Sequence, residues 1–155
     1  MRDLSIRLLR GVAVAAVWIA SVQGIAAAML LDEAVRRNDS AAVAQLLAEG
    51  ATLEGSGSGE LPVLHIACLQ SSIKIVAQLI ERGAPVNAIS PSETTPLHIA
   101  VDTGRIAVVE LLLKHGADPN LRNKVKATPL LVAVSLGRLD IVQLLLDRGA
   151  DVHLA

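Results

Sequence analysis

The chain has 155 residues and a formal net charge of −1, so its charge does not favour a nucleic acid as partner. Apolar residues make up 52% of it, yet it has one Trp and neither Phe nor Tyr. A core of Ala, Val, Ile and Leu favours thin layers of closely spaced helices over one large core built around aromatic rings. The single cysteine, Cys68, excludes an internal disulfide, and no Cys/His spacing is typical of zinc. We expect neither a metal nor another cofactor.

The first thirty residues have the composition of an export leader. A basic start is followed by a long uncharged run, 11–31, which becomes rich in Ala at its end. The basic residues are Arg2, Arg7 and Arg10. A basic start, an apolar middle and small residues at alternate positions are the parts of a secretory signal peptide. We predict that residues 1–28 are a signal peptide cleaved after Ala28, with cleavage after Ala26 as a second option.

Two other interpretations of this run stay open. Residues 11–31 are long enough to cross a bilayer once as an uncleaved anchor, or they form a buried helix of a soluble protein. Ala and Gly contribute less to membrane insertion than Leu and Ile, which favours cleavage. A leader or an anchor places residues 29–155 outside the cytoplasm. We therefore expect a periplasmic or secreted protein, with anchoring in the inner membrane as the alternative.

A period of 33 residues runs through 29–155. Positions 33 residues apart are called a column below, and several columns of Leu, Ala and Val keep one register. The clearest column consists of the glycines of four Gly-Ala pairs, Gly50, Gly83, Gly116 and Gly149. A period of this length predicts stacked helix-pair repeats. Their approximate bounds are 29–56, 57–89, 90–122 and 123–155.

Within a repeat, the helix boundaries have recognisable signals. Thr95 and Thr128 are N-cap candidates, and Pro96 and Pro129 suit the first helical position, where no N–H is needed. Gly104 is a helix-ending glycine. The sequence predicts an all-α repeat solenoid of about four helix-turn-helix units with short hairpin loops, preceded by a hydrophobic N-terminal helix.

The segment Thr95-Pro96-Leu97-His98-Ile99-Ala100, followed by Gly116-Ala117-Asp118-Pro119-Asn120, resembles the ankyrin repeat. That family's pattern is T-P-L-H-x-A with a later G-A-D-x-N, and the resemblance covers the chain after the leader. It implies a non-catalytic module that binds other proteins.

The resemblance also implies roles for single residues. His65 and His98 would be structural histidines whose rings hydrogen-bond to backbone and to the Thr hydroxyl within the stack. Leu131 replaces this histidine in the last repeat. Glu60, Glu93 and Lys126 stand in the hairpin turns where the family often has Gly, which leaves the shape of these turns open.

One pair of residues suggests chemistry. His65 and Cys68 are three residues apart on one predicted helix, as a thiol–imidazole pair would be. Cys68, however, shares its column with Val35, Val101 and Val134, which predicts a helix-packing position and a buried thiol that acts as a small apolar group. We predict no catalytic residue and no enzyme.

In proteins that resemble this chain, partners contact the hairpin tips and the exposed, concave side of the first helices. The columns map this surface onto thirteen residues, here called the partner surface. They are Arg36, Arg37, Leu69, Gln70, Ser92, Thr94, Asp102, Thr103, Lys124, Val125, Lys126, Ser135 and Leu136. Leu69, Val125 and Leu136 are apolar where water is expected, which favours a contact surface. Isolated exposed apolar residues are also common on monomers, and that alternative stays open.

The last repeat has an unusual surface for a terminal one. Terminal repeats normally carry a polar outer face, but this one keeps the apolar pattern of the internal repeats. Its apolar residues include Leu139, Ile141, Val142, Leu144, Leu145 and Leu146. We predict that it is covered by a partner or by a second copy of the chain. The main partner is expected to be another exported protein, with no nucleic acid, and a membrane only through an uncleaved N-terminal segment.

Overall fold

The computed structural model describes residues 26–53, 61–70 and 72–154. Most of the predicted leader and of the hydrophobic N-terminal helix, and also Glu60, lie outside the described residues. Within the described ranges the chain is helical and contains no strand. The helices are α1 (26–36), α2 (Ser40–Ala48), α3 (Val63–Gln70), α4 (Ile73–Glu81), α5 (Pro96–Thr103), α6 (Ile106–Lys114), α7 (Pro129–Ser135) and α8 (Leu139–Asp147). A short 3₁₀ turn follows at Val152–Leu154.

The helices form two layers. The first helices of successive repeats, α3, α5 and α7, pack side by side. The second helices, α2, α4, α6 and α8, form the other layer, and each first helix packs on its own second helix. The predicted all-α repeat solenoid is confirmed.

The predicted helix starts are also observed. Thr95 Oγ1 accepts a hydrogen bond from the backbone N–H of His98, and Thr128 Oγ1 accepts one from Leu131. Pro96 and Pro129 occupy the first turn of α5 and α7. These bonds satisfy backbone donors that a helix start otherwise leaves unpaired.

The core repeats with the 33-residue period. The Leu and Ala columns of the first helices are buried at every described repeat, including the first and the last. They comprise Leu31, Leu64, Leu97 and Leu130, and Ala34, Ala67, Ala100 and Ala133. The small Ala side chains allow two helices to approach closely, and this spacing explains how a core without aromatic rings fills its volume.

Helix α1 starts earlier than the repeat register predicts. Thr95 is the N-cap of α5, and the matching position in the first repeat is Met29, yet α1 already includes 26–28 and Ala28 is 2% exposed. The predicted cut after Ala28 therefore falls inside a helix. Cleavage itself stays a prediction. Across the described ranges, no helix is long and apolar enough to cross a membrane.

Candidate partner-binding surface

Two hairpin turns have a residue other than glycine in a backbone conformation that glycine normally adopts. Glu93 and Lys126 have φ of 56° and 64°, in the left-handed region. The N–H of Glu93 donates to Ser90 O at 2.8 Å, and the N–H of Lys126 donates to Asn123 O at 2.8 Å. The turn shape that the sequence left open is thus a tight turn with a left-handed residue, which costs an L-residue about 1 kcal/mol.

Side-chain hydrogen bonds brace these turns from within. Ser90 Oγ accepts from Thr94 N at 3.1 Å, and Asn123 Oδ1 accepts from Val125 N and Ala127 N. Ser92 Oγ shares hydrogen bonds with the hydroxyls of Ser90 and Thr94. The hydroxyls of Ser90, Ser92 and Thr94 therefore bond to one another, which leaves this hairpin tip fewer groups to bind a partner than the sequence implied.

The next hairpin tip along the chain, at residues 124–126, is more open to solvent. Lys124, Val125 and Lys126 are all exposed, and Val125 exposes 79% of its surface. The structure thus holds an apolar side chain in water between two cations.

On the first helices, the predicted residues divide into free and occupied groups. Thr103 Oγ1 donates to Ile99 O at 2.9 Å, and Ser135 Oγ donates to Val132 O at 2.8 Å, so both hydroxyls are occupied by their own helices. Arg37 pairs with Glu33 at 2.7 Å.

The remaining predicted helix residues are exposed: Arg36, Leu69, Gln70, Asp102 and Leu136. Leu69 and Leu136 each expose 47% of their surface. Together with the exposed tip residues Lys124, Val125 and Lys126, these five side chains are the part of the partner surface best able to make new contacts.

The two structural histidines link successive repeats. His65 Nε2 donates to Thr94 O at 2.7 Å, and His98 Nε2 donates to Ala127 O at 3.0 Å. Burial lowers the pKa of both rings, more than their backbone hydrogen bonds raise it, and His98 adds a smaller lowering effect on His65. Both histidines are therefore neutral near pH 7 and hold the stack together.

The rings of His65 and His98 differ in whether Nδ1 has a hydrogen-bond partner. Nδ1 of His98 is paired with Thr95 Oγ1 at 2.8 Å. The matching position in the preceding repeat is Pro62, which has no hydroxyl, and Nδ1 of His65 has no hydrogen-bond partner among the described residues.

Cys68 is not placed to be a nucleophile. It is fully buried, and burial raises the pKa of its thiol to about 12. Because the thiolate is the reactive form, a thiol this weakly acidic stays protonated. In the ranges that the structure describes, no three His, Cys, Asp or Glu side chains form a group that could hold a metal ion.

One column prediction was wrong. Val134 was assigned to the buried helix-packing column of Cys68, Val35 and Val101, which are all fully buried. Val134 instead exposes 56% of its surface. The internal residues are covered by the next helix pair along the stack, and no described residue follows the last repeat to cover Val134.

The columns did not reveal several polar links between repeats. Asn87 Nδ2 donates to Gly116 O and its Oδ1 accepts from Asp118 N, and Asn120 makes the same pair of bonds to Gly149 O and Asp151 N. The spacing of Asn87 and Asn120, one full period, was a signal that could have indicated this role.

Two arginines make further links at helix ends. Arg82 donates to Leu47 O at 2.6 Å, and Arg138 donates to Asp102 O at 2.8 Å while lying across Gly104. These arginines occupy different columns, so periodicity could not have found them.

Most of the chain matches models of known protein families. A model of ankyrin repeats in three copies matches residues 31–123, and a model of the single ankyrin repeat matches residues 126–155. No curated protein matches the chain.

Proposed function

Because the chain belongs to the ankyrin-repeat family, we propose that it is a non-catalytic module that acts outside the cytoplasm and binds an exported protein through the partner surface. Ankyrin repeats generally mediate protein–protein interactions, and no catalytic family is indicated for this chain. The observation that carries the proposal is the exposure of Leu69, Val125 and Leu136 along the tips and first helices.

The chemistry of this surface suits a folded protein as partner. Leu69 and Leu136 lie on α3 and at the end of α7, and the acidic Asp102 lies on α5 between them. Arg36 adds a positive charge on α1. Apolar anchors among separated charges of both signs are typical of a protein interface with an apolar centre and a polar rim. The mixed signs do not favour a polyanion.

The test is capture of a partner from an envelope extract with matched variants. Leu69→Glu and Leu136→Glu put charges into the centre of the partner surface, and we expect each to weaken capture at least about tenfold. Ile73→Glu is the control. Ile73 is 48% exposed, about as much as Leu69, but it lies on α4 in the layer of second helices. Equal losses in all three variants, or no loss in the first two, would contradict the proposed site.

The proposed location rests on the composition of residues 1–28. We place the protein in the periplasm of a Gram-negative bacterium, or among its secreted proteins. A C-terminal reporter enzyme that is active only after export should be active. An inactive reporter, with the fusion intact inside the cell, would refute export.

The alternative is a scaffold tethered to the inner membrane by residues 11–31. Sequencing the N-terminus of the protein from cells distinguishes the two. A start at Met29, or at Ala27, supports a cleaved leader, and an intact N-terminus with the protein in the membrane fraction supports the tether.

A further inference from the structure

The last described hairpin concentrates basic side chains, and the turn from Arg122 to Lys126 is called the basic hairpin below. Arg122, Lys124 and Lys126 are all exposed, and no other five consecutive residues of the chain hold three basic ones. The sequence has no acidic residue between Asp118 and Asp140. The basic hairpin is therefore a local positive surface on a chain whose formal net charge is −1.

The acidic residues around the basic hairpin do not neutralise it. Asp118, which precedes it, accepts a hydrogen bond from the backbone N–H of Asn120. Glu93 has the position in the neighbouring turn that Lys126 has here; the structure describes both residues, and no ion pair joins them. The turns of adjacent repeats are thus too far apart to pair, and the same spacing would apply to the hairpin of a further repeat. Like charges in one turn repel one another, so an acidic group from another molecule would relieve that repulsion.

The backbone of the basic hairpin is held by its own hydrogen bonds. Asn123 N donates to Ala127 O at 3.0 Å, and Asn123 O accepts from Lys126 N at 2.8 Å. The side-chain oxygen of Asn123 also accepts from Val125 N at 3.1 Å and from Ala127 N at 3.0 Å. These bonds fix the backbone that carries Lys124, Val125 and Lys126, so a partner that binds there does not have to order the turn.

Apolar side chains accompany the charges. Val125 exposes 79% of its surface, and Ile89, one period before Arg122 in the neighbouring hairpin, exposes 61%. A single-stranded nucleic acid is usually held by aromatic rings that stack on its bases, and the chain has neither Phe nor Tyr. Exposed aliphatic side chains among cations instead suit a protein segment that has both carboxylates and apolar side chains.

We propose that the basic hairpin binds an acidic segment of the protein partner, in which Asp or Glu side chains alternate with apolar ones. The carboxylates pair with Arg122, Lys124 and Lys126, and an apolar side chain packs on Val125. Glu93 in the neighbouring turn repels such a segment, which fixes the position of its carboxylates over the basic hairpin. This inference rests on the proposed function and adds the chemical class of the partner's contact segment.

Fluorescence anisotropy of labelled peptides with the full chain, as its cells produce it, tests the proposal. The probe is a short peptide in which Glu alternates with Val, and the two reference peptides have Lys or Gln in place of Glu. We expect the Glu peptide to bind with a dissociation constant on the order of 100 μM, at least about tenfold more tightly than either reference. The binding should weaken as salt is added, because exposed charge pairs are screened. Equal binding of the Glu and Lys peptides, or no binding of the Glu peptide, would overturn the proposal.

Single substitutions locate the contact. Lys124→Gln and Lys126→Gln should each raise the dissociation constant of the Glu peptide about two- to fivefold, as the loss of one exposed charge pair does. Glu93→Gln should lower it, because a repelling charge is removed. Lys114→Gln is the matched control, since Lys114 is also an exposed lysine but lies on α6 in the layer of second helices. An equal loss in Lys114→Gln would mean that only net charge matters, and would refute the basic hairpin as the site.

Two further probes, vesicles rich in phosphatidylserine and single-stranded RNA, represent other anionic ligands. Tighter binding of either one than of the Glu peptide would refute a protein segment as the ligand. Circular dichroism confirms that each variant is folded. The inference and the proposed function can fail separately. Partner capture that depends on Leu69 and Leu136, without binding of the Glu peptide, would refute only the acidic segment. Binding of the Glu peptide without capture of a partner would refute only the proposed function.

Discussion

His98 reaches into the next repeat, where its Nε2 donates to the carbonyl oxygen of Ala127 at 3.0 Å. The other ring nitrogen accepts from the backbone N–H of Thr95 at 3.4 Å and lies 2.8 Å from the hydroxyl of the same residue. One buried side chain thus ties the start of α5 to the hairpin that precedes α7.

Replacing this histidine should be costly. His98→Leu keeps an apolar side chain but leaves the Ala127 carbonyl and the Thr95 N–H without these partners, at about 1–3 kcal/mol for each buried group. We expect the free energy of unfolding in urea to fall by about 3 kcal/mol. Leu131→Ala is the control in the same column, and should cost less than about 1 kcal/mol because Leu131 is partly exposed. Similar losses in both would contradict the linking role.

Stability should also decrease in mild acid. The folded pKa of His65 and of His98 is lowered from 6.5, so below that pH the unfolded chain binds more protons than the folded one. The stabilisation is complete above pH 6.5 and is lost as the pH falls towards the folded pKa values. Each histidine contributes a slope of up to about 1.4 kcal/mol per pH unit. Urea unfolding at several pH values between about 7 and 5 measures it, and His98→Leu should have a smaller slope. An equal slope in the variant would refute the assignment to His98.

The left-handed residues of the two described hairpin turns offer a stabilising change. Glu93→Gly and Lys126→Gly should each raise the free energy of unfolding by about 0.5–1 kcal/mol, because glycine adopts positive φ without the clash of a Cβ. Thermal unfolding would show the increase as a higher Tm. Ser92→Gly, in the same hairpin but without positive φ, should instead lower stability. A decrease in all three would mean that the turn conformation is not strained.

Gly104 should tolerate a side chain less well than Gly137. The two have φ of 71° and 67°, but a Cβ at 104 would collide with the Arg138 guanidinium, whereas one at 137 meets open space. Gly104→Ala should cost about 2 kcal/mol and Gly137→Ala about 1 kcal/mol. In an Arg138→Ala background the two costs should become equal, which a double-mutant cycle measures. A difference that persists there would rule out the collision as its cause.

Local signals explain why so much of the fold was predictable. The 33-residue columns, the Thr-Pro helix starts and the helix-ending Gly104 each act through residues close in sequence. Helix caps and apolar faces depend on spacing along the chain, so the sequence by itself determined the helix pairs and their stacking order. It also indicated which first-helix residues would be exposed, including Leu69 and Leu136. Whether they bind a partner stays a prediction.

The tertiary structure decided which members of one column behave alike. Val101 and Val134 occupy equivalent positions, yet one is fully buried and the other largely exposed, because burial depends on the next helix pair and not on the residue itself. Arg138 likewise donates to Asp102 O in the preceding repeat, a contact outside any column. Both depend on the neighbouring repeat, and the 33-residue spacing does not show which side chains from non-equivalent positions meet across a repeat boundary.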